Sequence, residues 1–122
     1  MYQLFVEEHF DAAHRLRNYQ GKCENLHGHR YKVVARVETE KLDSSGLAYD
    51  FAQLKGYLRE ILARFDHAYL NELPPFDQIE PSCENIAARI YEELQPHLSG
   101  TPVVLTSVEV WESPTTGVVY SP

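Results

Sequence analysis

The sequence has few cysteines and no long apolar run. Cys23 and Cys83 are the only two among 122 residues, and two thiols without an export signal are more typical of free cysteines in a reducing compartment than of a disulfide framework. The opening segment, MYQLFVEEHFD, has no basic stretch followed by an apolar run, so we expect no export signal. No stretch approaches the roughly 20 apolar residues that span a bilayer. We therefore expect a cytoplasmic protein with no membrane partner.

Positive charge is also scarce. Lysine and arginine number 11 against 18 acidic residues, which gives a formal net charge of −7. Proteins that bind nucleic acid usually need a cationic face that displaces counterions, so we expect no nucleic-acid partner. The positive residues Arg15, Arg17, Lys22, Arg30 and Lys32 lie close together in the first third of the chain. This cluster suits a small anionic ligand such as phosphate, and it suits scattered surface charge equally well.

The rest of the chain reads as one folded unit. Residues 1–122 contain no internal repeat, low-complexity tract or linker, so we predict a single domain. Alternation of apolar and polar residues predicts four strands, at 2–10, 27–39, 103–112 and 117–120. The strongest of these places one set of side chains on a common face: His27, His29, Tyr31, Val33, Ala35 and Val37.

Between the second and third strands the apolar period changes to that of helices. Asp50 is the predicted N-cap of a first helix, with Gln53 completing a capping box. An apolar stripe through Phe65 gives that helix about four turns. Ser82 is the predicted cap of a second helix, and Pro96 is expected to end it.

The predicted element order is therefore ββααββ. Two helices packed on one face of a four-stranded antiparallel sheet make the fold class α+β. Such a sheet has two open edges, and open edges favour pairing between copies. We expect assembly into a closed ring.

Two histidines share a face at the start of the second strand. His27 and His29 are two residues apart, so their side chains point the same way. His14 follows the first strand, and pairing of the two strands would bring it near them. Three neutral imidazoles that hold zinc and leave a fourth position open form a known catalytic arrangement. From spacing alone, isolated surface or core histidines are an equal alternative.

The two cysteines have different surroundings in the sequence. Cys23 lies four residues before His27. It is either a fourth ligand, which would close the site and make it structural, or a thiol near the metal that acts as base or nucleophile. Spacing does not separate these roles. Cys83, at the start of a helix, is interpreted as a small buried residue or a substitution in the capping region rather than as a reactive thiol.

Acidic residues supply the remaining candidates. Asp66 precedes His67, and a histidine oriented by a carboxylate is a standard acid/base unit, although adjacent residues seldom bond each other well. Glu112 ends the third strand, where a carboxylate can accept two parallel hydrogen bonds from a flat heterocycle. Glu109 is the competing choice, and a strand-end glutamate is more often simply solvated.

Several motifs occur together along the chain. They are F-D-A-A-H, C-x-x-x-H-G-H, D-H-x-Y-L-N, P-x-x-E-N-I-A and E-S-x-x-x-G. In this order they resemble the 6-pyruvoyltetrahydropterin synthase superfamily of tunnelling-fold enzymes, over about residues 10–120. The short spacing from Cys23 to His27 is similar to that of the bacterial branch that serves queuosine biosynthesis. A folate branch carries glutamate at the cysteine position, so Cys23 counts against it.

The resemblance implies a site and a ligand for it. It implies one zinc ion per subunit on His14, His27 and His29, and a pterin ring anchored by Glu112. The implied substrate is 7,8-dihydroneopterin triphosphate, with the positive residues near Lys22 as candidates for contacting its phosphates. The implied partners are this small molecule and further copies of the chain, as trimers or hexamers with sites at subunit boundaries.

The resemblance also implies a reaction. Cys23 would be the general base, with Asp66 and His67 as its acid/base partners. The enzyme would be a zinc-dependent lyase that forms 6-carboxytetrahydropterin and releases triphosphate and acetaldehyde. Three alternatives are a synthase that stops at pyruvoyltetrahydropterin, a non-catalytic zinc-stabilised domain, and a module that binds a pterin unchanged. One departure is Ser82-Cys83, where the family commonly has Thr-Ser, and tolerance is expected there.

Overall fold

The structure is a computed structural model that describes residues 1–17 and 25–122. Five strands form one sheet in the spatial order β3-β1-β2-β4-β5. Their bounds are β1 Tyr2–His14, β2 His27–Thr39, β3 Ala68–Tyr69, β4 Val104–Ser113 and β5 Thr116–Tyr120. Every pairing is antiparallel except that of β3, which runs parallel to β1.

The prediction of a four-stranded, purely antiparallel sheet is therefore wrong in one respect. The additional strand, β3, is only two residues long, and it pairs with Ala12 and Ala13 of β1. A two-residue strand carries no alternating pattern that a sequence can display. The predicted α+β architecture is confirmed, with the helices on one face of the sheet.

Strand β1 extends to His14, beyond its predicted end at residue 10. It pairs with β2 along its whole length, from Tyr2 opposite Thr39 to His14 opposite His27. The extension follows the same alternation, since Ala12 and His14 are buried on the face that already holds Phe10. The longer strand carries His14 into direct cross-strand contact with β2.

Helix α1 spans Phe51–Leu62 and begins at the predicted cap. Asp50 accepts a hydrogen bond from the backbone of the second helical residue at 2.8 Å. The reciprocal half of the capping box is wrong, because the Gln53 side chain donates to the Tyr57 hydroxyl instead. The expected extension through Phe65 is also wrong. That ring is fully buried in the turn after the helix, so its apolar character reflects core packing rather than helical periodicity.

Helix α2 spans Cys83–Leu98. Ser82 caps it as predicted, accepting from the Asn85 backbone N–H at 3.2 Å. The expectation that Pro96 ends the helix is wrong by two residues. Proline lacks an N–H but keeps a helical φ, so the last turn continues until Leu98 reaches the core.

The core lies between the sheet and the two helices. The side chains of β2 that were predicted to share its buried face are fully buried from Tyr31 onwards. The helices contribute Leu54, Leu58, Ile86, Ile90 and Leu94, all at 0% exposure. Among the described residues, no helix has the length and apolar character that a membrane crossing requires.

Candidate metal centre and active site

Three histidine rings converge at the end of the β1–β2 ladder. His14 lies directly opposite His27, and His29 lies opposite Ala12 on the same face. One ring nitrogen from each histidine lies within 4.8 Å of the other two. His14 is 1% exposed, and the other two rings are half-buried. The structure thus brings together the three side chains that the sequence singled out as candidate ligands.

Backbone carbonyls fix the orientation of two of these rings. His14 Nδ1 lies 2.7 Å from the Pro81 carbonyl oxygen, and His27 Nδ1 lies 2.6 Å from that of Asn25. A carbonyl oxygen only accepts, so both Nδ1 atoms carry protons and, in the neutral rings, both Nε2 atoms carry lone pairs. These Nε2 atoms face each other at 2.9 Å. Two lone pairs at that distance repel unless a proton or a cation lies between them.

The surroundings disfavour a proton there. Burial lowers the pKa of the His14 ring, against the opposing effect of its bond to the Pro81 carbonyl. Burial also lowers the pKa of His29, against the attraction of Glu112. His29 Nε2 is buried and has no hydrogen-bond partner among the described residues. Three convergent imidazole nitrogens fit a zinc ion.

A carboxylate borders this centre on the same side of the sheet. Glu112 Oε2, at the end of β4, lies 3.9 Å from His29 Nε2. The same oxygen accepts a hydrogen bond from Cys83 Sγ at 3.4 Å. A cavity of about 220 Å³ lies between the start of α2 and strands β4 and β5, and Glu112, Cys83 and His14 line it. The cavity therefore adjoins both the histidines and the carboxylate.

Glu109 faces the opposite side of the sheet. Its carboxylate accepts from Arg36 Nε at 2.6 Å and from Trp111 Nε1 at 3.1 Å, and the residue is 8% exposed. These bonds already occupy both oxygens. Of the two glutamates considered from the sequence, Glu112 is the one that lines the cavity beside the histidines.

Asp66 and His67 form a second cluster, at the turn that precedes β3. His67 Nδ1 lies 3.1 Å from Asp66 Oδ2, and the Asp11 backbone N–H donates to Asp66 Oδ1 at 2.9 Å. This bond from Asp11 is the main cause that lowers the pKa of the Asp66 carboxyl. Adjacent residues reach each other here because His67 adopts a left-handed φ of 57°. A groove lined by His67 and His29 connects this pair to the histidine centre.

Two sequence predictions fall on Lys22 and Cys23, which lie outside the described residues. Among the described positive residues, Arg17 is engaged by backbone carbonyls. Arg30 lies 3.6 Å from Asp11, and Lys32 Nζ stacks over the Trp111 ring. Arg30 and Lys32 line a groove that His29 and Glu112 also border. Arg17 therefore lies in a different part of the fold from Arg30 and Lys32, although all three are close in sequence.

Sequence reasoning missed the groups that hold the site residues in place. The Pro81 and Asn25 carbonyls orient imidazoles, and a backbone carbonyl leaves no signal in the residue type. Cys83 was interpreted as a small buried residue or a capping-region substitution, and it is buried, but its thiol also donates to Glu112. Its place at the first turn of α2 was the available signal.

A sheet covered by two helices, with clustered imidazoles at its end beside a carboxylate-lined cavity, defines an enzyme of the tunnelling-fold class. The family model described as 6-pyruvoyl tetrahydropterin synthase matches residues 3–122, and the chain belongs to this family. The resemblance read from the sequence motifs is thereby confirmed.

Individual relatives span nearly the whole chain. The 6-carboxy-5,6,7,8-tetrahydropterin synthase of Synechocystis sp. is 35% identical, over 98% of this chain and 93% of the relative. The 6-pyruvoyl tetrahydrobiopterin synthase of Homo sapiens is 38% identical, over 91% of this chain and 85% of the relative. The solved Caenorhabditis elegans 6-pyruvoyl tetrahydropterin synthase superposes with a TM-score of 0.90 at 29% identity, covering 99% of this chain and 95% of that one.

Proposed function

We propose that the protein forms 6-carboxy-5,6,7,8-tetrahydropterin from 7,8-dihydroneopterin triphosphate and water, releasing acetaldehyde and triphosphate. The observation that carries this proposal is the convergence of three imidazole nitrogens beside the cavity lined by Glu112. Relatives from several bacteria bear the name of this synthase at 31–35% identity over most of the chain. In this proposal the chain is a single-domain, zinc-dependent lyase that works in the cytoplasm, in queuosine biosynthesis.

The proposed metal ligands are His14, His27 and His29, with one zinc ion per subunit. Zinc bound there supplies Lewis-acid polarisation of the substrate's side-chain hydroxyls. The Pro81 and Asn25 carbonyls hold the Nδ1 protons of two of these rings, so their Nε2 lone pairs stay directed into the centre.

Glu112 is the proposed anchor of the pterin ring. A carboxylate accepts two parallel bonds from the N–H groups of an amino-pyrimidinone edge, which fixes the ring in its plane. The cavity beside it is closed on one side by Cys83 and the start of α2. Because the Glu112 carboxylate lies 3.9 Å from His29 Nε2, a ring that it holds would lie beside the histidine centre.

Proton transfer is assigned to three residues. Asp66 orients His67 through Nδ1, which leaves His67 Nε2 to take or give a proton at the substrate side chain. Cys23 is the proposed base that removes the first side-chain proton, in keeping with its position four residues before His27.

We also propose that the sites lie at boundaries between subunits of a trimeric or hexameric ring. The Asp66–His67 pair is largely exposed, with 79% of the His67 side chain open, whereas proton-transfer groups work best shielded from water. Both sheet edges are open, since β3 covers only two residues of β1 and β5 has no outer neighbour among the described strands. Light scattering on protein eluted from a size-exclusion column should give the mass of a trimer or hexamer. A monomer alone would contradict this assembly.

The direct test of the reaction is product analysis. Zinc-loaded protein is incubated with 7,8-dihydroneopterin triphosphate, and the pterin and the aldehyde are identified by mass spectrometry. We expect 6-carboxytetrahydropterin and acetaldehyde in equal amounts, with none from the chelator-treated protein. Intact substrate after incubation would contradict catalysis and favour a pterin-binding module.

The human relative supports one rival product, because its printed name is that of a pyruvoyl-forming enzyme and it is 38% identical. In that case triphosphate leaves and the carbon–carbon bond of the side chain stays intact. The same incubation would then yield pyruvoyltetrahydropterin and triphosphate without acetaldehyde.

A further inference from the structure

Three consecutive backbone carbonyls, those of residues 79–81, lie just before α2 and are here termed the carbonyl triplet. Each accepts a hydrogen bond from a different side chain. The first accepts from Arg17 Nη1 at 3.2 Å, the second from Asn85 Nδ2 at 2.9 Å, and the third from His14 Nδ1 at 2.7 Å. One short stretch of backbone is thus shared between a candidate metal ligand and two residues that contact no metal or substrate in the proposed site.

The Arg17 guanidinium also holds the loop that leads to the carbonyl triplet. Its Nη2 donates to the carbonyls of Phe76 at 2.7 Å and Asn71 at 3.1 Å. The Arg17 backbone N–H donates to Glu80 Oε2 at 2.7 Å. A guanidinium is a planar, rigid fork, so several simultaneous bonds to it leave the loop little freedom. The loop position is therefore set by Arg17 at several points.

A buried amide ties the same loop to the residue that follows His14. The Asn71 side chain accepts from the Arg15 backbone N–H at 2.8 Å and donates to the Arg15 carbonyl at 2.8 Å. Asn71 is 8% exposed. This paired contact fixes the backbone beside His14 against the loop. Arg17 and Asn85 then determine where the last carbonyl of the triplet meets the imidazole.

We propose that Arg17 and Asn85 are positioning residues for His14. By holding the carbonyl triplet, they keep the Pro81 carbonyl on His14 Nδ1 and so keep His14 Nε2 directed at the other two rings. This inference rests on the metal-binding part of the proposed function. Loss of a partner that orients a ligating histidine typically weakens metal binding about 10–100-fold.

The test is a titration of metal-free protein with Co²⁺, followed by visible absorption, which reports both affinity and coordination geometry. Arg17→Met removes the guanidinium donors and keeps a side chain of similar size. Asn85→Asp removes the Nδ2 donor, while the backbone N–H of residue 85 still donates to the Ser82 cap. We expect the Co²⁺ Kd to rise about tenfold in each variant. This is the lower end of the roughly 10–100-fold range, because Arg17 and Asn85 act on His14 only through the Pro81 carbonyl. The Co²⁺ Kd of Arg17→Lys should lie between that of wild type and that of Arg17→Met.

Arg59→Met is the matched control. This exposed arginine donates one bond of 2.7 Å to Glu8, away from the carbonyl triplet, so its removal should leave the Kd and the spectrum unchanged. Thermal unfolding of each metal-free variant verifies folding, and Asn85→Asp decides the matter if Arg17→Met does not fold. Kd values within about twofold of wild type for the folded variants, or an equal rise in Arg59→Met, would overturn the inference.

Catalysis is not measured in this experiment, so the two proposals fail separately. Wild-type protein that binds Co²⁺ but leaves the pterin unchanged contradicts the proposed reaction and leaves the positioning role intact. Wild-type protein that does not bind Co²⁺ overturns the positioning role itself.

Discussion

Replacing His29 by alanine is expected to abolish stoichiometric zinc binding and pterin turnover while leaving the fold in place. Removing a ligand should weaken zinc binding more than the roughly 10–100-fold that outer partners contribute. His29 Nε2 makes no hydrogen bond to the described residues, and its ring is half-buried, so the substitution removes no hydrogen bond from that nitrogen. Metal content by mass spectrometry and a zinc titration against a competing chelator measure the effect.

His9→Ala provides the comparison. His9 lies on the same strand as His14, is exposed, and is paired with Lys32 well before the end of the ladder. It should retain one zinc per chain, bound with wild-type affinity. Thermal unfolding in chelator should place metal-free His29→Ala within about 1 kcal/mol of metal-free wild type. Equimolar zinc bound with wild-type affinity by His29→Ala would contradict a three-histidine centre.

Replacing Glu112 by glutamine is expected to reduce kcat/KM by about 100-fold or more while zinc binding is retained. Two bonds to a charged acceptor are each worth about 1.5–3 kcal/mol, and the amide presents a donor to one of the two pterin N–H groups. Steady-state kinetics and fluorescence titration with a reduced pterin measure the loss, and metal analysis separates it from damage to the histidine centre.

Glu109→Gln is the matched control, because it makes the same chemical change three residues earlier in the same strand. Glu109 faces the other side of the sheet, bonded to Arg36 and Trp111. Its substitution should lower the free energy of unfolding by about 1–3 kcal/mol, since Arg36 loses a charged partner, with kcat/KM changed by less than about threefold. A larger loss of kcat/KM in Glu109→Gln than in Glu112→Gln would reverse the assignment of the pterin anchor.

The sequence predicted the parts of the fold that depend on side-chain periodicity. The face of β2 and the caps Asp50 and Ser82 follow from local patterns, and all are present in the structure. Strand β3 and the last turn of α2 were missed for a common reason. In both places tertiary contacts decide the conformation, through the parallel pairing with Ala12 and through burial of Leu98.

For the candidate site, the sequence supplied the residue types and the structure supplied their orientation. His14, His27 and His29 were identified by strand spacing, and the fold places them together. What spacing could not provide is the tautomer of His14 and His27, which depends on the backbone carbonyls that meet their Nδ1 atoms. The Pro81 carbonyl that orients His14 lies 67 positions away along the chain.

Because β1 and β2 pair along a 13-residue ladder, the geometry of the histidine centre depends on the register between the two strands. Sliding one strand past the other by a single position would send every side chain of the moved strand to the opposite surface. His14 and His27 would then be separated by the sheet itself. Only the correctly aligned hairpin can offer both nitrogens to one ion, so an ion that binds there selects the native alignment during folding.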